Sequence, residues 1–541
     1  MPMKDPSSRP GRRTGVRTEI PPSRLDSRRI FSREARRMPP EEVRGWNQRN
    51  QALLSLYGLE VASIMVLPIT SPAMSAAAPR AGAGAASGPL QSELRDRLIL
   101  TGMMGALSVS LSGRGDLLAH PQAERDKLKL KVKENNDRNS TAAMTESLHA
   151  LCDATPGVNL RIAIGEGARR KPGEKGGNPT LYAGQVIGSG PTRYSIAVDT
   201  VEGTTKSTMF DHSCGTLLYA TSAEIAPVPD VYFDKCQLRG VQDVTVADPL
   251  ERIVQAVMES RGTREINLFA LDRARHPIDR LLSCGANMRL DTDGDAYPVV
   301  ASGLGWGVFA DNLRPLDGVA GNIGGAAEMI ASAAGGYYLG VRSTARFCAS
   351  KIRTWDERYD FSGDDERELR ARGFDPNRVY DIEDLVPGIG SADGAFVAAA
   401  ISDNWHVPCL SAAFVGGNFA TVTALFVGAA GTAEIYAVLF NYRDTLDQTA
   451  ERLTPVLTRL LGLPVAEIPG ATRAAAGDPV RARRLRHEVA TSYYMHMQEA
   501  AQGGPGDPRM KLDLKAAASV ESPEAMAFLH AVVEASPDWF A

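Results

Sequence analysis

The chain is poor in cysteine, with six in 541 residues, at positions 152, 214, 236, 284, 348 and 409. None forms a C-x-x-C pair, which excludes both a zinc-type spacing and a secreted disulfide framework and leaves buried thiols in a reducing cytoplasm as the expectation. The eight histidines contain no H-x-x-x-H pair, so a zincin helix is excluded as well. Long unbroken apolar runs are missing. The best stretch, residues 52–69, is interrupted by Glu60 and Pro68 and is too marginal for a membrane span. The twin arginines Arg28 and Arg29 are followed by Arg33, Glu34, Arg36 and Arg37 where an export signal needs an apolar core. An excess of charge of either sign is also lacking, since the formal net charge is -4. That balance hides a lopsided distribution: residues 1–50 carry +7 and the remaining 491 carry -11. A nucleic-acid binder would be basic over its folded part, so no nucleic-acid partner and no membrane partner are expected.

What is present is the composition of a globular protein, 43% apolar and 23% charged. Residues 1–89 read as a disordered basic arm followed by an Ala/Gly linker, the latter at 74–88. Residues 90–445 alternate helix and strand patterns. Strands are predicted at 161–165, 195–199, 216–221, 266–271, 307–310, 336–341, 396–401, 420–427 and 434–440, and helices at 91–111, 140–152, 248–260, 276–284 and 323–334. This is a mixed α/β (α+β) layered body. A helix over 444–462, kinked by Pro455, leads into a C-terminal helical extension at 446–541.

The chemistry concentrates at 162–205. Glu166 follows a strand in Ile164-Gly165-Glu166-Gly167. Asp199 ends the strand SIAVD, and Thr200-Val201-Glu202-Gly203-Thr204-Thr205 follows. A strand-end acid with a second acid three residues on, inside a glycine-containing turn, presents two carboxylates to one point. Oxygen-rich clusters of this kind suit Mg²⁺ or Mn²⁺. Gly203-Thr204-Thr205-Lys206-Ser207 is not a P-loop, because Thr205 stands where a glycine is required. His212, close to this turn, reads as a loop histidine.

The paired G-E-G … D-x-x-E-G-T pattern resembles the lithium-sensitive phosphatase superfamily, and within it class II fructose-1,6-bisphosphatase, which in some bacteria is also a sedoheptulose-1,7-bisphosphatase. Further segments agree in order: Pro179–Gly184, Pro229–Lys235, Arg275-His276, Asp293-Gly294-Asp295, Ile323–Glu328 and Ser391–Asp393. The resemblance runs from about Leu98 to Tyr442. It implies an α-β-α-β-α architecture with mixed sheets and a metal-dependent phosphomonoesterase acting on a small sugar phosphate. It implies Glu166, Asp199, Glu202 and Glu328 as metal ligands, with Glu166, Asp199 and Thr204 as the catalytic group. Glu202, Gly203, Thr204, Tyr232, Arg273, Arg275, Asp293, Asp295 and Gly325 would line the substrate site. A cytoplasmic homo-oligomer, dimer or tetramer, is the expected assembly.

The chain also departs from the pattern. Where the family has G-D-K-N-x-x-D, this sequence reads Asn136 to Ala142, so Ala142 stands at an expected ligand position and Arg138 at the lysine. Residues 168–178 form a longer, cationic insertion with Arg169, Arg170, Lys171 and Lys175. Two alternatives therefore stay open beside the phosphatase: a phosphosugar-binding protein that has lost turnover, and a pathway-specific enzyme for an unusual sugar or nucleoside phosphate.

Overall fold

The computed structural model describes residues 17–19, 35–69, 89–112, 121–165, 180–273, 276–305, 315–348, 363–407, 409–416 and 419–442. In chain order the elements begin β1 (Arg17–Glu19), β2 (Arg36–Arg37), α1 (Pro40–Arg49), α2 (Gln51–Leu56), β3 (Leu59–Ile69), α3 (Pro89–Ser112), α4 (Gln122–Ala154), β4 (Val158–Ile164) and β5 (Val186–Ile187). Then come β6 (Thr192–Glu202), α5 (Thr204–Ser207), β7 (Gly215–Thr221), β8 (Tyr232–Arg239), α6 (Leu250–Arg261), β9 (Asn267–Leu271), α7 (Ile278–Ser283), β10 (Asn287–Asp291) and α8 (Ala296–Leu304). The last part holds β11 (Gly318–Gly325), α9 (Ala326–Tyr338), β12 (Val341–Phe347), α10 (Gly363–Ala371), β13 (Val379–Asp381), α11 (Ile382–Leu385), β14 (Gly394–Ala400), β15 (Phe414–Gly416), β16 (Phe419–Gly428) and β17 (Ala433–Tyr442).

These strands build two mixed sheets. The larger runs β2-β3-β17-β16-β14-β7-β6-β4-β5, with β15 on β16, and the smaller runs β1-β10-β9-β11-β8-β12-β13. Helices α3 and α4 cover the outer face of the larger sheet, burying Leu98, Met103, Leu107 and Leu148 against Ile196, Leu218 and Val397. Helices α8 and α9 lie between the sheets, in a core with Leu217, Tyr219, Phe233, Phe269 and Phe396. On the far side α6 turns Leu250, Ile253, Val254 and Val257 onto the smaller sheet, together with Leu281 of α7. The result is the α-β-α-β-α layering expected from the resemblance.

The middle layer explains a sequence pattern that misleads. Residues 336–341 read as a strand because of the aromatic pair Tyr337-Tyr338, yet α9 continues through Tyr338 and the strand begins only at Val341. The glycines inside the helix serve close packing. A Cβ on Gly335 would stand 2.8 Å from the Phe396 ring, and one on Gly336 would stand 3.0 Å from Val299 Cγ1. The strand expected at 307–310 and the helix and extension expected beyond 443 lie outside the described residues.

The amino end corrects the reading more strongly. Residues 35–69 are not a disordered arm: they form two strands and two helices that belong to the larger sheet and its core. β3 pairs antiparallel with the whole of β17, from Ile69 opposite Ala433 to Leu59 opposite Tyr442. Trp46, Leu53, Leu54 and Tyr57 are buried with Leu94 and Phe440. Asn47 locks α1 to the strand, since its amide donates to the Val61 carbonyl at 2.8 Å and its oxygen accepts from the Val61 N–H at 2.8 Å. Glu60 and Pro68 interrupt the apolar run in sequence but not the strand. Glu60 is half-buried, and Pro68 is exposed one residue from the strand's end, where proline is tolerated.

Candidate active site

Four chain segments meet at one rim of the sheets. The carboxyl end of β6 supplies Asp199 and Glu202. The turn after β10 supplies Asp293 and Asp295, and the junction of β11 with α9 supplies Gly325 and Glu328. β8 supplies Tyr232 and Lys235 beside β11, with Tyr232 opposite Gly325 and Lys235 opposite Asn322. β6 is buried almost throughout its length, which fixes the backbone from which the acids project.

Asp199, Glu202 and Glu328 each offer a carboxylate oxygen, and these oxygens lie within 4.8 Å of one another. Each acid is anchored separately. Asp199 Oδ1 accepts from the Val201 N–H at 3.0 Å. Glu202 Oε1 accepts from the Ala296 N–H, the first of α8, at 2.8 Å. Glu328 Oε1 reaches back to the Gly325 N–H at 2.7 Å, closing the start of α9. The positive ends of two helices therefore face the acids. Burial, together with the charges of Glu328 and Asp295, pushes the Glu202 carboxyl well above its ordinary range. Burial also raises Glu328, with Lys235 partly offsetting it.

Lys235 is the residue that sequence reasoning quoted in a motif but did not place at the site. It is fully buried, and its ammonium donates to Asp295 Oδ1 at 2.7 Å. Burial favours the neutral amine, but the charges of Asp295 and Glu328 outweigh that and hold the ammonium above its ordinary value. Asp295 Oδ2 accepts from Asn322 Nδ2 at 2.6 Å, so in this structure both oxygens of Asp295 face protein donors rather than an open cleft. Gly324 makes the arrangement possible, because a Cβ there would stand 2.4 Å from Lys235 Nζ and 2.6 Å from Glu328 Oε1. The adjacent glycines in Ile323-Gly324-Gly325 were the available signal.

The remaining expected residues fall around this cluster. Gly203 has φ +75° and caps α5, a left-handed conformation that favours glycine. Thr204 Oγ1 donates to the Val201 carbonyl at 2.9 Å. Arg273 donates from Nη2 to Asp293 Oδ1 at 2.6 Å and from Nε to the Thr292 carbonyl at 3.2 Å. Asp293 Oδ2 accepts from the Thr205 N–H at 3.3 Å, which ties the two turns together. Gly294 (φ +79°) packs so tightly that a Cβ would stand 2.8 Å from the Ser213 carbonyl. Glu166 and Arg275 lie outside the described residues. Ala142 is buried within α4, where Ser140 and Thr141 bond to Thr200 at 2.6 and 3.1 Å.

The fit to a divalent cation can be judged from the donor set. It is all oxygen, its members repel one another, and burial with mutual charge disfavours leaving Glu202 and Glu328 ionised together unless a cation joins them. That is the environment Mg²⁺ or Mn²⁺ suits.

A five-layered α/β body with clustered carboxylates at its strand ends suits metal-assisted chemistry, and the family it matches makes the class a phosphoric monoester hydrolase. The chain belongs to the bacterial fructose-1,6-bisphosphatase family, glpX-encoded, whose model matches residues 123–435. It is similar to fructose-1,6-bisphosphatase 2 class 2 of Escherichia coli (strain K12), with 29% identity over 259 residues, covering 46% of this chain and 75% of the relative. Every described element of the site falls within the matched residues, whereas β2, α1, α2, β3 and α3 precede them. No described helix is long and apolar enough to cross a membrane.

Proposed function

We propose that the protein hydrolyses a phosphomonoester of a sugar or sugar-derived metabolite, with Mg²⁺ or Mn²⁺ held by Asp199, Glu202 and Glu328 and by Glu166 from outside the described residues. The observation that carries this reading is the convergence of the three described carboxylates. When bound, the metal lowers the pKa of water and neutralises charge at the leaving oxygen. The chain's own groups do the rest. Arg273, already oriented by Asp293, presents a guanidinium suited to bidentate contact with a phosphate. Thr204, half-exposed beside the acids, orients the attacking water or the scissile group. Tyr232, Gly203, Gly325, Asp293 and Arg275 line the substrate site, and Asp295 supports it through Lys235.

Fructose 1,6-bisphosphate is the first substrate to test, because the matched relative bears that name. The experiment is phosphate release from a panel of sugar phosphates and nucleotides, with Mg²⁺ and with Mn²⁺. Release from sugar phosphates that depends on the metal is expected; no release from folded, metal-loaded protein overturns the reading. Ala142 favours one second reading, a phosphosugar-binding protein without turnover, since it brings no carboxylate to the rim. Calorimetric binding of a sugar phosphate without hydrolysis would select it. A cytoplasmic homo-oligomer, dimer or tetramer, belongs to the same proposal, and light scattering of the purified protein measures the assembly.

A further inference from the structure

Outside the acid cluster, a second charged group is built around Asp291, the last residue of β10. Its carboxylate is buried. Oδ2 lies 2.5 Å from Lys206 Nζ, 3.2 Å from His212 Nε2 and 3.3 Å from His406 Nε2, and Oδ1 accepts from the Thr292 N–H at 2.7 Å. These partners come from separate elements: Lys206 from α5, His212 from the loop before β7, and His406 from the loop after β14. Lys206 is 2% exposed, and His406 is fully buried. Among the described residues His406 Nδ1 meets no hydrogen-bond partner, so Nε2, facing Asp291, is the ring nitrogen through which His406 joins the group. Burial pushes the Asp291 carboxyl up, but the bonds from His212 and His406 and the charge of Lys206 outweigh it and hold Asp291 well below its ordinary range.

The loop carrying His212 is held in an uncommon backbone. Phe210 and Ser213, on either side, have φ of +50° and +59°. Non-glycine residues adopt this region rarely, and only where surroundings over-determine it. Those surroundings are visible. Asp211 Oδ1 accepts from the His212 N–H at 2.8 Å and lies 2.7 Å from its Nδ1. The Trp405 ring stacks on the imidazole with centroids 3.2 Å apart. The Ser213 N–H bonds to the Asp403 carbonyl at 2.8 Å, and the Trp405 N–H to Ser213 Oγ at 3.0 Å.

A buried Lys–Asp pair is an expensive way to fill space, and an apolar pair would do so at lower cost. What the charged pair adds here is a fixed distance between two turns. Lys206 stands two residues after Thr204 on the turn that follows Glu202. Asp291 stands two residues before Asp293 on the turn whose Asp293 orients Arg273. We infer that Asp291 is a positioning residue: through Lys206 it holds Thr204 in register with Asp293 and Arg273, and through His212 and His406 it locks the flanking loops.

The inference rests on the phosphatase reading of the acid cluster, and the experiment separates the two. The full-length protein and its variants Asp291→Asn, Asp291→Asn/Lys206→Met and His212→Gln are compared for phosphate release, melting temperature, Mn²⁺ affinity by calorimetry, and hydrogen exchange of residues 203–213. Asp291→Asn strands the Lys206 charge, so it lowers both the melting temperature and kcat, the latter by about 10- to 100-fold. Removing Lys206 as well restores the melting temperature but not kcat, and exchange at 203–213 stays faster than in the native protein. His212→Gln, at the outer edge of the group, gives up the ring stacking on Trp405 but strands no buried charge, so it lowers the melting temperature less than Asp291→Asn and still lowers kcat. Mn²⁺ affinity changes less than about threefold in all variants, because Asp199, Glu202 and Glu328 are anchored by other bonds. The inference is overturned if kcat returns with the melting temperature in the double variant, if a folded Asp291→Asn or His212→Gln protein keeps native kcat, or if Mn²⁺ affinity falls in step with kcat. If the native protein releases no phosphate, the phosphatase reading fails, and hydrogen exchange alone then decides whether Asp291 holds the turns.

Discussion

Lys235 has no exposed surface, and its ammonium faces Asp295, Glu328 and Glu202. Taking away one member of a buried charge pair leaves the other uncompensated, a loss of about 3–5 kcal/mol. Lys235→Met is therefore expected to lower stability by that order without metal and to gain more from Mn²⁺ than the native protein gains, because the added cation meets a larger surplus of negative charge. Thermal unfolding with and without Mn²⁺ measures this, and an equal metal-induced change in melting temperature in both proteins would count against it. Asp199 gives the complementary case. Asp199→Asn keeps the size and the Val201 N–H bond but replaces a charged ligand by a neutral one, so phosphate release should fall at least about 100-fold with little change in folding. Steady-state assays at saturating metal and circular dichroism together check it; activity near native would remove Asp199 from the ligand set.

Among the elements, what could be read in the sequence followed from local pattern. β6 and its turn were legible because the apolar strand, the strand-end acid and the glycine-bearing turn are contiguous. Helix α3 was legible from spacing, and α6 and α9 as segments between strands, although the helix expected at 323–334 begins only after β11, at Ala326, and runs on to Tyr338. Lys206, Asp291 and His406 were not legible as a group, because loops about 80 to 200 residues apart bring them together and no local pattern encodes that approach. β3 was missed because a strand carrying Glu60 and Pro68 reads as an interrupted run. The extension of α9 has a test. In an exposed helix, glycine to alanine gains up to about 1 kcal/mol. At Gly335 the added methyl meets the Phe396 ring at 2.8 Å inside the core, so overpacking of about 1–3 kcal/mol wins. Gly335→Ala should destabilise the protein in denaturant unfolding, and a stabilised variant would show that the helix and the sheet are not packed this closely.

For the whole molecule, the consequence lies in how the amino segment joins the family body. Residues 35–69 precede the matched region, yet β3 extends the larger sheet beyond β17 and Trp46 stacks on Tyr436 with ring centroids 6.3 Å apart. One of the joints is polar: Tyr57, just after α2, donates its hydroxyl to Glu146 of α4. Glu146 is buried, and burial pushes its carboxyl up to about 8, with the Tyr57 bond only partly offsetting this. Near neutral pH the folded protein therefore holds a protonated Glu146, whereas in the unfolded chain the group ionises around pH 4.5. The sign follows from proton linkage. The folded state binds the extra proton, so this contribution is complete below pH 4.5 and is lost as the pH rises through that range to about 8. Each pH step between the folded and unfolded values is worth about 1.4 kcal/mol, which sets a ceiling of roughly 5 kcal/mol. Glu146→Gln keeps an oxygen that can accept from Tyr57 and carries no proton to lose. Its denaturant midpoint should therefore vary less between pH 5 and 8 than the native midpoint, with the gap closing in its favour toward alkaline pH. Parallel pH–stability curves for the two proteins would mean that the amino segment is joined to the body without this proton.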